Sequence, residues 1–256
     1  MEDDTKEIIK LKGKDIIFKN ANIIVNGKII LKDLNFTIKE NETVMIAGAT
    51  GSGKSILLKT LVGFYEYTGS ITIGGREISE FNKKTIRDNI CLLLQDSYLF
   101  SKTIAENIKI LVPTMPYSDM VTISKFFMLD DDVQKLKNGY DSKIGRKGIA
   151  LSKGQKQRLV LVRAFTKLKP IMIFDDSFSA IDRINKKRIL ENLLNLEEKF
   201  TKIVITHDIE YAEKFHKIIY LNEGKAIIGT NEELLQNKNY RKVYELNQDK
   251  IGEEYI

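Results

Sequence analysis

Short runs of apolar residues recur along the chain and predict strands that are buried on both faces. The runs cover residues 44–47, 90–94, 171–174, 202–206 and 217–221. Such strands are typical of parallel sheets, and segments with helical spacing separate the last three runs. Those helices are predicted at residues 182–196 and 209–215. From residue 171 onward, the pattern therefore predicts a βαβ series with a parallel sheet.

Apolar and polar residues alternate between residues 16 and 36, on either side of Asn26 and Gly27. Alternation around an Asn-Gly pair predicts a β-hairpin, which we expect to pack beside the strand at residues 44–47. A further short strand is predicted at residues 69–75. The sequence therefore predicts antiparallel β structure ahead of the parallel sheet.

The stretch between about residues 103 and 140 differs in character, because helical spacing replaces the strand pattern. Pro113 and Pro116 separate two predicted helices there. Three aspartates at residues 130–132 predict the solvated start of another helix rather than a metal site. We expect an inserted helical subdomain within about residues 96–165.

Composition excludes several classes of protein. Apolar residues make up 43% of the 256 residues and charged residues 30%, values typical of a globular protein rather than a disordered one. The net charge of +6 comes from scattered lysines, so no nucleic-acid partner is expected. Cys91 is the only cysteine, which favours a reducing compartment. No apolar run is long enough to cross a bilayer, and the acidic N-terminus is unlike a signal peptide, so we expect a cytosolic chain.

The first candidate for chemistry follows the apolar run at residues 44–47. It has the G-x-x-x-x-G-K-S pattern of a phosphate-binding P-loop between a strand and a helix. The residues expected to hold a nucleotide are Gly48, Ala49, Thr50, Gly51, Ser52, Gly53, Lys54, Ser55 and Ile56. Glycines let backbone N–H groups turn toward a polyphosphate, and a helix start adds unpaired N–H groups. Lys54 is expected to reach the terminal phosphates and Ser55 to ligate Mg²⁺.

A second candidate is the apolar run at residues 171–174, which ends in Asp175 and Asp176. A carboxylate at the carboxyl end of a strand beside the P-loop strand suits Mg²⁺. Three further segments complete a set with Gln95: residues 151–158 (LSKGQKQR), 179–182 (SAID) and 205–208 (ITHD). In this order, the set resembles the motifs of ATP-binding cassette (ABC) ATPases.

The resemblance covers about residues 16–246. The LSxGQ signature, placed before the strand at residues 171–174 (the Walker B strand), is specific to ABC ATPases. It implies an α/β fold: a P-loop NTPase core with a mainly parallel sheet, an antiparallel β subdomain and an inserted helical subdomain. We accordingly expect a lead-in at residues 1–14, the cassette at 15–246 and a C-terminal tail at 247–256. Residues 95–108 are most similar to the exporter branch.

Exporter cassettes are usually fused behind six membrane helices, and none occurs in this sequence. We therefore expect either an excised cassette or a separately encoded subunit, on the cytoplasmic side of a membrane. The turn at residues 145–148 stands where exporters carry a loop that touches the membrane domains.

The resemblance also implies roles for single residues. Asp175 binds Mg²⁺, Gln95 senses the metal and the attacking water, Asp176 stands at the position of the catalytic base, and His207 contacts the γ-phosphate of ATP. By themselves, Gln95 is typical of a strand end and His207 of a protein core; the surrounding motifs favour function.

Another set of residues is implied to act on the nucleotide of a partner cassette. In the family, Ser152, Gly154 and Gln155 cap the γ-phosphate that the second cassette of a head-to-tail dimer binds. Asp182 bridges the two sites, and it also suits the N-cap of the helix that follows. A second ABC cassette and the transmembrane domains of an exporter are therefore the expected partners.

Three positions depart from the family pattern. Asp176 replaces a glutamate and has one methylene less, about 1.5 Å of reach, so slow hydrolysis is expected. Val25 stands where an aromatic residue usually stacks on adenine, a contact of about 1–3 kcal/mol. Lys153 replaces the first glycine of the signature. Such departures favour the slow site of a heterodimer, with a homodimer as the alternative.

The sequence thus predicts an ATP-hydrolysing cassette that powers a membrane exporter. The alternatives are a regulatory module that binds ATP with little turnover, and an ATPase of another ABC system. DNA-repair types need a long coiled coil between the P-loop and the signature, and ribosomal types carry two cassettes; neither feature occurs in this sequence.

Overall fold

A computed structural model describes residues 11, 13–95, 98–145, 148–197, 199–206 and 209–253. The chain divides into two compact units. The first unit comprises the described residues up to Leu92, Lys169–Asp175 and the residues from Lys199 onward. The second unit comprises Leu93–Leu168 and Asp176–Glu198, and so includes the predicted helical stretch and the helix after Asp182.

The strands alternate with short helices along much of the chain. In chain order the strands are β1 (Ile16–Val25), β2 (Lys28–Ile38), β3 (Thr43–Gly48), β4 (Glu66–Ile73), β5 (Arg76–Glu77), β6 (Ile90–Leu93), β7 (Ile171–Asp175), β8 (Thr201–Ile205), β9 (Lys217–Asn222) and β10 (Lys225–Gly229). The α-helices are α1 (Lys54–Thr60), α2 (Lys83–Asn89), α3 (Ile104–Ile108), α4 (Tyr117–Phe126), α5 (Asp130–Gln134), α6 (Lys153–Phe165), α7 (Arg183–Leu194), α8 (Asn231–Leu234) and α9 (Lys238–Glu253). Short 3₁₀-helices lie at Ile78–Glu80, Lys109–Leu111, Gly139–Asp141 and Ile209–Lys214.

An antiparallel sheet with the order β2-β1-β4-β5 forms one layer of the first unit. Asn26 and Gly27 have φ angles of 49° and 73°, and Val25 pairs with Lys28 across them. A two-residue turn with two positive φ angles matches the twist of the strands it joins. The predicted hairpin is confirmed, and β4 begins earlier than the predicted strand at residues 69–75.

The second layer is a six-stranded sheet with the order β10-β9-β3-β8-β7-β6. Strand β3 lies between β8 and β9 and runs parallel to both. Every residue of β3 is buried, which explains its unbroken apolar run. The apolar faces of both sheets share one core. Its members include Ile16, Phe18, Ile46, Ile71, Ile173 and Ile219. The parallel βαβ series is confirmed, but the α-helix predicted at residues 209–215 is a 3₁₀-helix.

The described part of the first unit ends in a helix. Helix α9 extends from Lys238 to Glu253, across the boundary predicted at residues 246 and 247. Tyr240 is fully buried against Tyr220 of β9, and its hydroxyl donates a hydrogen bond to Asn231 Oδ1 over 2.7 Å. Burial raises the pKa of the Tyr240 hydroxyl.

The second unit is helical, with α3 to α7 around an apolar core that includes the rings of Phe126, Phe127 and Phe165. Polar contacts fix the start of α5. Asp130 is buried and accepts a hydrogen bond of 2.7 Å from the Tyr140 hydroxyl. Burial, followed by the neighbouring carboxylate, raises the pKa of Tyr140.

The prediction of a solvated start at residues 130–132 is therefore wrong for two of the three aspartates. Asp130 is buried, as described above. Asp132 forms an ion pair with the buried guanidinium of Arg158, which also donates a hydrogen bond to the carbonyl oxygen of Met128. A buried arginine needs such partners, because an unpaired charge in a core costs several kcal/mol. These contacts join α5 to α6 over a separation in sequence that local patterns do not report.

Candidate functional site

The predicted phosphate-binding loop joins the end of β3 at Gly48 to the start of α1 at Lys54. The φ angles of Gly48 and Gly53 are 149° and 98°, which residues with a Cβ atom rarely adopt. A Cβ atom on Gly48 would also lie 2.5 Å from the carbonyl oxygen of Leu221. Backbone conformation and space therefore both require glycine at position 48.

Lys54 is held inside this loop. Its ammonium donates hydrogen bonds of 2.9 Å to the carbonyl oxygens of Gly48 and Ala49, and the residue is only 8% exposed. A lysine is rarely buried unless its charge is compensated. The loop thus carries a positive charge that is fixed in position by its own backbone.

Two features of the loop fit a bound polyphosphate. The hydroxyl oxygen of Ser52 is buried and has no hydrogen-bond partner among the described residues, whereas Ala49, Thr50 and Gly51 are exposed. Buried polar atoms are nearly always paired, so an unpaired hydroxyl in an open loop suits a phosphate oxygen as its partner. The residues of the loop therefore suit the polyphosphate of the nucleotide that the sequence predicts.

Of the three residues predicted at the Mg²⁺ site, Ser55, Gln95 and Asp175, the first and the last are in contact. The Ser55 hydroxyl donates a hydrogen bond of 2.8 Å to Asp175 Oδ1, and Asp175 lies buried at the carboxyl end of β7. No cluster of three histidine, cysteine or acidic residues suitable for a metal occurs in the described ranges. Mg²⁺ does not require one, because one or two carboxylates with substrate phosphates and water suffice. Ile56 follows Ser55 on α1 and is half-buried.

In the second unit, Gln95 belongs to a network that the sequence did not predict. Gln95 Nε2 donates to Ser179 Oγ over 3.4 Å, and Gln157 Nε2 donates to the same oxygen over 3.3 Å. Gln157 Oε1 accepts a hydrogen bond of 2.9 Å from the backbone N–H of Ala180. Gln157 was missed because its partners are distant in sequence, although it lies within the segment at residues 151–158.

Asp176 has an unusual backbone conformation, with a φ angle of 51°. Its carbonyl oxygen accepts hydrogen bonds from the N–H and the hydroxyl of Ser179, over 3.3 and 3.0 Å. Asp and Asn tolerate the left-handed region better than most residues with a Cβ atom. The turn after β7 therefore suits the aspartate that occupies it.

The signature segment caps helix α6. Ser152 Oγ accepts from the Gln155 N–H and Gln155 Oε1 accepts from the Ser152 N–H, a reciprocal capping box. A Cβ atom on Gly154 would lie 2.8 Å from the Ala180 carbonyl oxygen. The close approach of the backbone at Ala180 is thus a steric reason for glycine at position 154, in addition to the predicted phosphate contact.

Asp182 caps the next helix, α7, as the sequence suggested. Its carboxylate accepts hydrogen bonds from the backbone N–H and the side-chain amide of Asn185, over 3.0 and 2.8 Å. These bonds, the backbone one first, lower the pKa of Asp182. The N-cap role is sufficient to explain an aspartate at position 182. The predicted bridging of two cassettes would be an additional role.

Comparison with known proteins identifies the family. Residues 31–179, more than half of the chain, match the family described as ABC transporter. The chain belongs to the ABC transporter family. Its P-loop, its Asp175 and its signature segment are the parts that an ATP-binding cassette requires, so the chain is an ATP-binding cassette with ATPase activity.

Relatives and a solved structure agree with this ABC assignment. The chain is 35% identical over 241 residues to a multidrug export ATP-binding/permease protein, so named, of Staphylococcus aureus, covering 93% of this chain and 42% of that protein. It is 34% identical over 228 residues to an exotoxin translocation ATP-binding protein of Pasteurella aerogenes, covering 88% of this chain and 32% of that protein. An Atm1-family bacterial ABC exporter with ATP bound superposes with a TM-score of 0.87 at 27% identity, covering 95% of this chain and 44% of that one. The cassette thus spans less than half the length of these proteins.

The match to the exporter structure also confirms the predicted fold class of the ABC cassette. Across the described ranges, no helix combines the length and the apolar character needed to span a membrane. His207 lies outside the described residues, as do Asp96, Ser97, Asp208, Arg146 and Lys147. Val25 is half-buried at the end of β1, so its proposed place beside adenine stays a prediction.

Replacement of Gly154 by alanine tests the close approach of the cassette's signature helix to Ala180. The added methyl group would force the two backbones apart, and we expect a loss of about 1–3 kcal/mol in the free energy of unfolding, measured with urea. Lys153→Ala, on the exposed neighbour, should change it by less than about 0.5 kcal/mol. Equal stabilities of the two variants would contradict the steric argument.

Proposed function

We propose that this chain is the ATP-hydrolysing cassette of a membrane exporter and acts at the cytoplasmic side of the membrane. The observation that carries the proposal is the phosphate-binding loop, in which buried Lys54 and the Ser55–Asp175 pair are assembled from separate parts of the sequence. The names of two relatives, which state multidrug export and exotoxin translocation, support the coupling to transport.

Each of the predicted site residues has a proposed role in ATP hydrolysis. The loop from Gly48 to Ser55 holds the phosphates of ATP with backbone N–H groups, and Lys54 offsets negative charge on the terminal phosphates. Ser55 and Asp175 would hold Mg²⁺, which would offset the negative charge of the phosphates when bound. Gln95 orients the attacking water, and His207 contacts the γ-phosphate.

Asp176 is the proposed general base. As water attacks the γ-phosphorus, the bond to the bridging oxygen breaks and the carboxylate accepts the proton of the water. Because aspartate is one methylene shorter than the glutamate usual at this position, the carboxylate reaches less far. We therefore propose slow hydrolysis at this site.

A second cassette completes the proposed active unit. Ser152, Gly154 and Gln155 lie at the start of α6, where Ser152 is exposed and the helix presents N–H groups suited to an anion. In a head-to-tail dimer this helix start would face the γ-phosphate held by the partner, with Asp182 between the two sites. The departures at Asp176, Val25 and Lys153 favour an unlike partner cassette over a second copy of this chain.

An apolar groove in the second unit is the proposed contact with the membrane domains. It has a volume of about 400 Å³ and lies between residues 98–101 and the segment around Ile144 and Ile149. Tyr98 and Phe100 contact each other edge to face and are 71% and 39% exposed. Exposed aromatic pairs beside a groove suit a protein partner.

The mass of the chain in solution, measured by light scattering with and without MgATP, tests the proposed unlike partner. The Asp176→Asn variant should be measured beside the wild type, because loss of the carboxylate would preserve bound ATP. We expect a monomer in every case, because the partner supplies the second half of each site. An ATP-dependent homodimer would contradict the unlike partner, and failure to bind MgATP would contradict the function itself.

A regulatory module is the second candidate, and Asp176 is the observation that favours it. Such a module would bind MgATP and gate a partner with negligible turnover. Release of phosphate by the wild-type chain, at a rate above that of Asp176→Asn, would exclude it.

A further inference from the structure

The side chain of Gln157 connects three segments of the second unit. Its amide nitrogen donates to Ser179 Oγ over 3.3 Å and, at the long limit of 3.5 Å, to the carbonyl oxygen of Gln95. Its amide oxygen accepts from the N–H of Ala180 over 2.9 Å. A single side chain on α6 thus reaches both the segment after β6 and the turn before α7.

Ser179 is the second member of this network. A hydroxyl offers one donor and two acceptor lone pairs. The Ser179 hydroxyl donates to the carbonyl oxygen of Asp176 and accepts from the amides of Gln95 and Gln157. All three capacities are used, so the hydroxyl orientation is fixed and ties Gln95 to the backbone of Asp176.

We propose that Gln157 is a positioning residue that holds Gln95 and the turn after Asp176 in the geometry used for ATP hydrolysis. This inference rests on the proposed function for the roles of Gln95 and Asp176. Gln157 itself contacts neither substrate nor metal in the proposal; it acts through Ser179 and Ala180. Since it lies on the helix that Ser152 caps, it also ties that helix to the segments that carry Gln95 and Asp176.

The cavity beside Gln157 allows its role in positioning to be distinguished from a role in stability of the fold. A cavity of about 380 Å³ borders the network, lined among others by Gln95, Gln157, Ser177 and Ser179. The cavity is open to solvent and partly lined by polar side chains, so water can enter and replace lost hydrogen bonds. Removal of the amide should therefore disturb the placement of Gln95 and Asp176 more than the stability of the fold.

The first test compares Gln157→Leu, which keeps the size of the side chain, with Gln157→Glu, which keeps an acceptor for the Ala180 N–H. We expect kcat for ATP to fall about 5- to 50-fold in Gln157→Leu, with KM and melting temperature close to wild type, and to fall less in Gln157→Glu. Gln236→Leu, at an exposed glutamine in the first unit, is the matched control and should keep the wild-type kcat.

A double-mutant cycle with Ser179→Ala adds a readout that a structural role would not move. Because both substitutions break the same network, the loss of kcat in the double variant should be well below the product of the single losses. Wild-type kcat in Gln157→Leu, or losses that multiply fully, would overturn the inference.

Amide hydrogen exchange keeps the test independent of turnover. In Gln157→Leu the peptide that contains Ala180 should exchange faster than in the wild type and in Gln236→Leu, with peptides of the first unit unchanged. Absence of wild-type hydrolysis would count against the proposed function, and the exchange measurement would then decide the placement of the turn by itself. Unchanged exchange at Ala180 would overturn the inference in either case.

Discussion

Replacement of Lys54 by alanine is expected to abolish the stabilisation of the protein by MgATP. At a concentration of 100 Kd, a ligand that binds only the folded state adds about 2.7 kcal/mol, or about 5–10 °C in the melting temperature of a chain of this size. The variant lacks the buried ammonium that lies against Gly48 and Ala49, so the phosphates lose their fixed positive charge. Thermal denaturation with and without MgATP measures the effect.

The control for Lys54→Ala is Lys59→Ala, five residues further along the same helix. It removes an equal charge without altering the loop and should retain the full shift. Without nucleotide, Lys54→Ala should differ from the wild type by no more than about 3 kcal/mol, the value of hydrogen bonds to a charged group. A normal MgATP shift in folded Lys54→Ala protein would refute the proposed phosphate site.

Extension of Asp176 to glutamate is expected to raise the rate of ATP hydrolysis about 10-fold or more. A well-placed general base contributes about 10²- to 10⁴-fold, and one further methylene gives the carboxylate the reach that aspartate lacks. The gain should come with a loss in stability of about 1 kcal/mol, because Asp176 has a φ angle of 51° that glutamate tolerates less well. Single-turnover phosphate release and urea denaturation measure the two effects.

Asp176→Asn is the matched control for the rate. Asparagine tolerates the same backbone conformation and has the same length, but it cannot accept the proton of water, so turnover should fall below that of the wild type. Equal rates for aspartate and glutamate would mean that reach does not limit hydrolysis. Equal rates for all three residues would remove Asp176 from the reaction.

Much of the fold could be predicted because local chemistry specified it. The Asn26-Gly27 turn has few alternatives between two alternating segments. Residues 44–47 of β3 are apolar because the strand is buried and is paired along both edges. The loop after β3 is similarly constrained, since only glycine fits at Gly48. Such signals lie within a few residues of the structure that they predict.

The features that the sequence did not predict depend on contacts between distant segments. Asp132 resembled a solvated residue because its partner Arg158 lies on another helix. Gln157 was one polar residue among several on α6, and only the approach of Ser179 and Ala180 distinguishes it. Local composition also did not separate the 3₁₀-helix at Ile209–Lys214 from an α-helix.

The position of β3 has a consequence for how the protein is made. Strand β3 leaves the ribosome before both strands beside it, because β8 and β9 lie more than 150 residues further along the chain. Until those residues are made, the nascent polypeptide carries an unpaired apolar segment, a state prone to aggregation. Assembly of the nucleotide pocket has to await the synthesis of β9, so a chaperone that shields this segment would assist the newborn cassette.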